Sequence, residues 1–130
     1  MPLREFEYIS DFPLTYKYLN VCGFRLYNCN KCEKCKRTML GFYALGKLEL
    51  YGAVFDVNYF YQNRDEYLGY MLFRRIGAKY RSLYHQVHYY NEIYQCLIER
   101  GMKIPKAAEL YVIKLVRSSI KRRVKELLEG

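Results

Sequence analysis

Apolar side chains recur at helical spacing over residues 78–100: Tyr80, Leu83, Tyr84, Val87, Tyr94, Leu97 and Ile98, with Asn91 on the same line. The i, i+3, i+4, i+7 pattern predicts an amphipathic helix. Gly101 sits where such a helix ends, and Pro105 opens another near its first turn. Over residues 106–128 the apolar line is Ile113, Val116, Ile120, Val124, Leu127 and Leu128. A third stripe, Tyr67, Leu68, Met71, Leu72 and Ile76, predicts a helix over residues 64–76, with a short helix before it capped by Asp56. Gly77 interrupts the pattern there.

Nearer the start, Cys35, Met39, Phe42 and Tyr43 predict a helix over residues 31–45, closed by Gly46. Residues 46–56 read as a connector. Residues 15–21 alternate loosely and carry aromatic and β-branched side chains, which predicts a short strand. Residues 1–15, with Pro2 and Pro13, read as irregular. The expected architecture is mainly α: one small helical domain over residues 1–130, with about four helices and at most a short strand or hairpin. Its parts are an irregular N-terminus (1–15), a metal-binding loop and helix (16–46) and a helical region (56–130).

Four cysteines change the picture. Cys22, Cys29, Cys32 and Cys35 follow the spacing C-x6-C-x2-C-x2-C. Two-residue gaps turn successive thiolates back onto one ion, and the longer gap lets Cys22 approach from a neighbouring element. The residues between them (Asn28, Asn30, Lys31, Glu33, Lys34) are too polar for a core of free thiols. Zinc is the expected ion. An iron–sulfur cluster is the rival, but its usual run places the fourth cysteine downstream and before proline, whereas here it lies upstream and Lys36 follows Cys35. A closed four-thiolate site leaves no position for water, so it is expected to be structural, not catalytic. Cys96 reads as a small packed side chain.

Composition narrows the classes further. Apolar residues make up 52% of 130 residues, which excludes a disordered chain. Sixteen tyrosines predict helix faces that bury rings and keep hydroxyls near water. The net charge of +9 favours anionic partners, and Arg37, Arg117, Lys121, Arg122 and Arg123 are the candidate anion-binding residues. The basic face over residues 114–125 fits a solvated helix, a nucleic-acid-binding surface or an anionic membrane surface. No run of apolar residues is long enough to span a membrane. The first fourteen residues lack the apolar core of a signal peptide, so a reducing cytoplasm is the expected setting for these thiols.

Catalytic constellations are scarce. His85 and His88 lie at i, i+3, with Glu92 one turn on, and read as polar-face residues before they read as a metal or acid–base pair. Glycine-rich phosphate loops and a nucleophile elbow are absent.

The stretch NCNKCEKCKRTM at residues 28–39 resembles the C-terminal zinc element of PP-loop ATP-dependent ligases related to 7-cyano-7-deazaguanine synthase. Cys22, Cys29, Cys32, Cys35 and the basic Arg37 fill that element's positions. The following Ala44, Leu45 and Gly46, and the later Arg100, Gly101, Lys103, Ile104 and Pro105, resemble a branch of larger PP-loop-like proteins, some of them associated with surface-polysaccharide gene clusters. The resemblance implies zinc on the four cysteines. It covers residues 15–130 at most, and its most specific part is about twenty residues. The SGG-type motif that holds the ATP pyrophosphate in such enzymes is absent, so no ATP-site residue carries over. The implied role is a separated or split C-terminal module without catalysis of its own, docking on a nucleotide-binding domain or on a second copy. The alternative from charge and aromatic content is a small basic nucleic-acid-binding zinc protein.

Overall fold

The computed structural model describes residues 3–23, 26–77 and 84–129. Among the described residues there are seven α-helices and no strand. They are α1 (Leu3–Ile9), α2 (Thr15–Tyr18), α3 (Glu33–Ala44), α4 (Val57–Gln62), α5 (Arg64–Gly77), α6 (Tyr84–Glu99) and α7 (Lys106–Glu129), with one 3-10 turn at Leu48–Tyr51. The mainly helical architecture read from periodicity is the observed one.

Two N-terminal expectations are corrected. Residues 1–15 are not irregular, because Leu3–Ile9 is helical. Phe6 is the reason: its buried ring meets Phe42 edge-on at 5.2 Å and Tyr89 at 5.7 Å, and burial stabilises a helix too short to persist alone. The strand expected over residues 15–21 is replaced by α2. Thr15 turns its hydroxyl onto the Phe12 carbonyl at 2.7 Å, while the Tyr16 ring packs on Tyr51 at 5.1 Å and its phenol donates to the Ser10 carbonyl. Packing and local side-chain bonds outweigh β propensity here.

The core is one continuous cluster of buried side chains from Phe6 to Ala108. Its centre is α3, where Met39, Leu40, Phe42 and Ala44 are fully buried. Phe42 stacks on Tyr51 with ring centroids 4.0 Å apart. The end of α3 forms a Schellman motif: Gly46 takes φ 72°, its N–H donates to the Tyr43 carbonyl, and the Lys47 N–H donates to the Phe42 carbonyl. The same motif ends α6, at Gly101, with bonds back to Ile98 and Leu97.

The face that α6 buries also differs from the expected one. Tyr89, Tyr90, Ile93 and Leu97 are buried, whereas Asn91 and Tyr94 are half-buried and Ile98 is exposed. α6 packs against α1, α3 and α5, so it buries a wide arc and one stripe does not describe it. Tyr89 faces Phe6, and Tyr90 faces Tyr70 at 6.0 Å. On the other flank Arg75 donates to Asn91 at 2.8 Å and lies 3.6 Å over the Tyr94 ring. The side chains of Ile76, Tyr80, Leu83, Tyr84, His85 and Val87, and the basic Lys79 and Arg81, lie outside the described residues.

α7 crosses α5 closely. A Cβ on Gly69 would stand 2.8 Å from the Ala108 carbonyl oxygen and 2.8 Å from Tyr111 Cβ. Only the first half of α7 takes part, with Ala108 buried and Tyr111, Val112 and Leu115 half-buried. The line expected to face the core is instead largely solvent-exposed, at Ile113, Ile120, Val124, Leu127 and Leu128. No described helix is long and apolar enough to cross a membrane.

Candidate metal centre

The four cysteines converge between α2 and α3. Their sulfur atoms all lie within 4.8 Å of one another, and Cys22 and Cys32 Sγ are 4.0 Å apart. Four sulfurs at about 2.3 Å around one ion would be separated by about 3.8 Å, so the set closes on a single ion with small adjustments. Each arrives by a separate device.

Cys29 and Cys32 are placed by tight local turns. The Cys32 N–H donates to Cys29 Sγ at 3.2 Å, and the Cys35 N–H donates to Cys32 Sγ at 3.4 Å. Cys32 is thus the N-cap of α3, with its sulfur taking the place of a capping oxygen. Asn30 stands at φ 65° between them, a left-handed conformation that asparagine tolerates. Cys35 lies in the first turn of α3 and is fully buried.

Cys22 is held by Asn28, which is itself buried. The Asn28 carboxamide oxygen accepts from the Val21 N–H at 2.8 Å and the Cys22 N–H at 3.3 Å. Its amide nitrogen donates to the Leu19 and Val54 carbonyls at 2.9 and 3.0 Å. One side chain therefore pins the strand of backbone before Cys22 to the segment before α4. Asn30 repeats the device, accepting from the Asp56 N–H at 2.9 Å, while its carbonyl accepts from the Tyr67 hydroxyl at 2.8 Å. An ion pair at 3.3 Å joins Glu33 to Arg74 and fixes the start of α3 to α5.

The thiols differ in their electrostatics. The Lys31 main-chain N–H bonds Cys29 and, against some burial, holds its thiol down to about 6. Burial pushes the Cys35 thiol far above its usual range, so that sulfur becomes a thiolate only with a compensating cation. A metal with four thiolates carries net negative charge. Lys31, Lys34 and Lys36 are interspersed with the cysteines in sequence, and the Cys35 N–H in the first turn of α3 donates to Cys32 Sγ.

The remaining sequence-predicted residues are dispersed. Arg37 lies on α3 with its guanidinium 5.6 Å from the Tyr89 ring centroid, and its carbonyl accepts from the Tyr89 hydroxyl at 2.6 Å. Arg117, Lys121, Arg122 and Arg123 are exposed on α7. His88 is exposed, His85 falls outside the described side chains, and Glu92 accepts from the Leu3 N–H at 2.9 Å. Cys96 donates to the Ala44 carbonyl at 3.3 Å, and burial raises its thiol.

Sequence reasoning missed Asn28, Asn30 and Tyr67 as the supports of the loop. The sequence carries part of the signal: Asn28 and Asn30 bracket Cys29, but a polar residue in a loop does not by itself reveal its bonding partners. No protein family model matches this chain, nor does any curated protein or solved structure.

Proposed function

We propose that this chain is a zinc-stabilised helical module that acts as a structural or docking unit and performs no catalysis of its own. The observation that carries this reading is the mutual approach of four thiol sulfurs within 4.8 Å, three from the turn that opens α3 and Cys22 from the segment after α2. Zinc suits that spacing. In a four-iron cluster each thiolate binds a different iron, which spreads the sulfurs further apart than one shared ion does. Four sulfur ligands fill a tetrahedral zinc and leave no site for a reacting water. The ion would hold Cys22, Cys29, Cys32 and Cys35 and thereby fasten the residues before α3 onto its first turn.

The resemblance of residues 28–39 to the zinc element of PP-loop ATP-dependent ligases supports a role beside a nucleotide-binding domain. Under this reading the module supplies surface and rigidity, and the chemistry belongs to its partner.

Elemental analysis of the purified protein is the test. One zinc per chain, without iron or acid-labile sulfide, supports the reading. A folded, metal-free chain or stoichiometric iron and sulfide would overturn it. A salt-titrated gel shift with RNA and DNA separates the nucleic-acid alternative, because phosphate contacts weaken steeply with salt.

A further inference from the structure

Along α7, six residues fall at alternating spacings of three and four: Leu110, Ile113, Arg117, Ile120, Val124 and Leu127. Those are the a and d positions of successive heptads, with Arg117 at an a position. Leu110 is 66% exposed, Ile120 57% and Leu127 81%, so the seam faces solvent along the whole helix. The face that packs on α5 is a different one: Ala108, Tyr111, Val112 and Leu115 fall at b, c and f. From Lys121 to Glu129 every residue is exposed. α7 is therefore a two-faced helix about 36 Å long, with one face on the body of the protein and one apolar line left open.

We propose that this seam docks an amphipathic helix of a partner protein whose flanking positions are acidic. Charge selects that occupant. Residues 106–129 carry seven lysines and arginines (Lys106, Lys114, Arg117, Lys121, Arg122, Arg123, Lys125) against three glutamates (Glu109, Glu126, Glu129). Lys114 and Lys121 stand at e and Arg123 stands at g beside the seam, against one acidic flank, Glu109 at g near its start. In coiled coils these positions choose the partner, and a single polar residue at a fixes the register. A second copy fits poorly. Parallel pairing stacks two Arg117 side chains on the axis, and antiparallel pairing sets Lys114 of one helix against Lys121 of the other. A partner with glutamate opposite Lys114, Lys121 and Arg123, and an acidic residue opposite Arg117, answers the four basic charges at the seam.

A lipid surface fits less well. Helices that lie in a bilayer interface present a broad apolar face, often with tryptophan or phenylalanine. Here the line follows a and d and widens only at its end, where Leu128 at e is exposed; Arg117 interrupts it, and no aromatic residue lies on it.

This inference deepens the docking half of the proposed function and is independent of the ion. The probe is a synthetic helix with leucine at a and d, glutamate at e and g, and one glutamate at the a position opposite Arg117. Binding is followed by calorimetry with the intact protein, its metal content measured in the same sample. The expected result is a saturable one-to-one complex that weakens with salt. It should be lost at least tenfold on combining I120D with V124D, two exposed changes whose folding is checked by circular dichroism. The same peptide with lysine at e and g should not bind.

Absence of a complex overturns the inference. So does a chain that is already dimeric through the seam, shown by sedimentation that I120D/V124D converts to monomer. Tighter association with phosphatidylserine vesicles than with the peptide overturns it in favour of a lipid surface. A zinc-loaded chain that ignores the peptide sinks this inference alone, whereas a folded metal-free chain that binds it sinks only the metal reading.

Discussion

The Tyr67 hydroxyl, on α5, donates to the main-chain carbonyl of Asn30 across 2.8 Å and so ties the middle of the helical body to the centre of the cysteine loop. Tyr67 is buried, and its ring lies 4.8 Å from that of Phe60. Y67F keeps that packing and removes only the donor. The expected cost is about 1 kcal/mol of stability, from a partly buried carbonyl left without its bond. Metal affinity should fall as well, several-fold to about tenfold, because outer hydrogen bonds hold ligand-bearing backbone in place. Competition against a chromophoric chelator measures the second effect. An unchanged affinity would show that Asn30 holds its left-handed turn without help from α5.

The helices that carry the core were legible because their signals are local. Asp56 caps α4 through its carboxylate on the Tyr59 N–H, and Gly46 and Gly101 stop α3 and α6 where the pattern ends. The cysteine spacing was legible for the same reason. What could not be read was orientation. Tyr89 and Tyr90 are adjacent in sequence, and both are buried because α6 has neighbours on several sides, which no single stripe encodes. The long apolar line of α7 gave a helix correctly but the wrong face, because the close approach at Gly69 presents Ala108 and Tyr111 to α5 instead. Periodicity reveals that a face is apolar and leaves open which protein surface covers it. Asn28 was equally opaque, since its four hydrogen bonds span up to 26 residues of sequence.

Glycine substitutions separate crowding from backbone strain. At Gly69 an added methyl would meet both a carbonyl oxygen and a Cβ at 2.8 Å, neither of which can swing aside. G69A should cost about 1–3 kcal/mol by forcing α5 and α7 apart. At Gly101, φ is 84° and nothing lies within 4 Å of the same methyl, so G101A should cost only the left-handed strain, about 1 kcal/mol. Urea unfolding of the two variants checks the order. A loss at G69A smaller than that at G101A would mean that α7 shifts to accommodate the methyl.

Tyrosine burial sets the alkaline limit of stability. Tyr61 is 42% exposed, yet partial desolvation and then its hydrogen bond to the Glu49 carboxylate push it up to about 12 from an ordinary value of 10. Burial likewise raises Tyr51, Tyr67, Tyr70, Tyr89 and Tyr90. Above pH 10 the unfolded chain releases phenolic protons that the folded chain still retains, at Tyr61 up to about pH 12. The unfolded state then binds fewer protons, so stability falls as pH rises through that window. Below pH 10 this contribution is intact. The measurement is tyrosinate absorbance alongside circular dichroism. The expected outcome is an early class of exposed tyrosines, then a later class that ionises together with loss of helix. A single ionisation step with no loss of helix would contradict the burial.

Removing the ion should loosen one side of the molecule before the other. Without a cation, burial keeps Cys35 protonated, and the four sulfurs lose what draws them together. The bonds nearest the cysteines are those from Val21 and Cys22 to Asn28, from Cys32 to Cys29, and from Asp56 to Asn30. The contact of α5 with α7 around Gly69 and Ala108 shares none of them. Chelation should therefore speed amide exchange at Val21, Cys22, Cys32 and Asp56, while protection in α5 at Leu68 and Met71 falls less. C35S should reproduce the pattern and should not be rescued by added zinc, since serine supplies a far weaker ligand at the only fully buried position of the set. Lowering pH should act in the same direction, because each bound thiolate must compete with a proton. Exchange that rises uniformly through all helices on chelation would show that the ion holds up the whole core, and uniform protection would show that the thiols close without it.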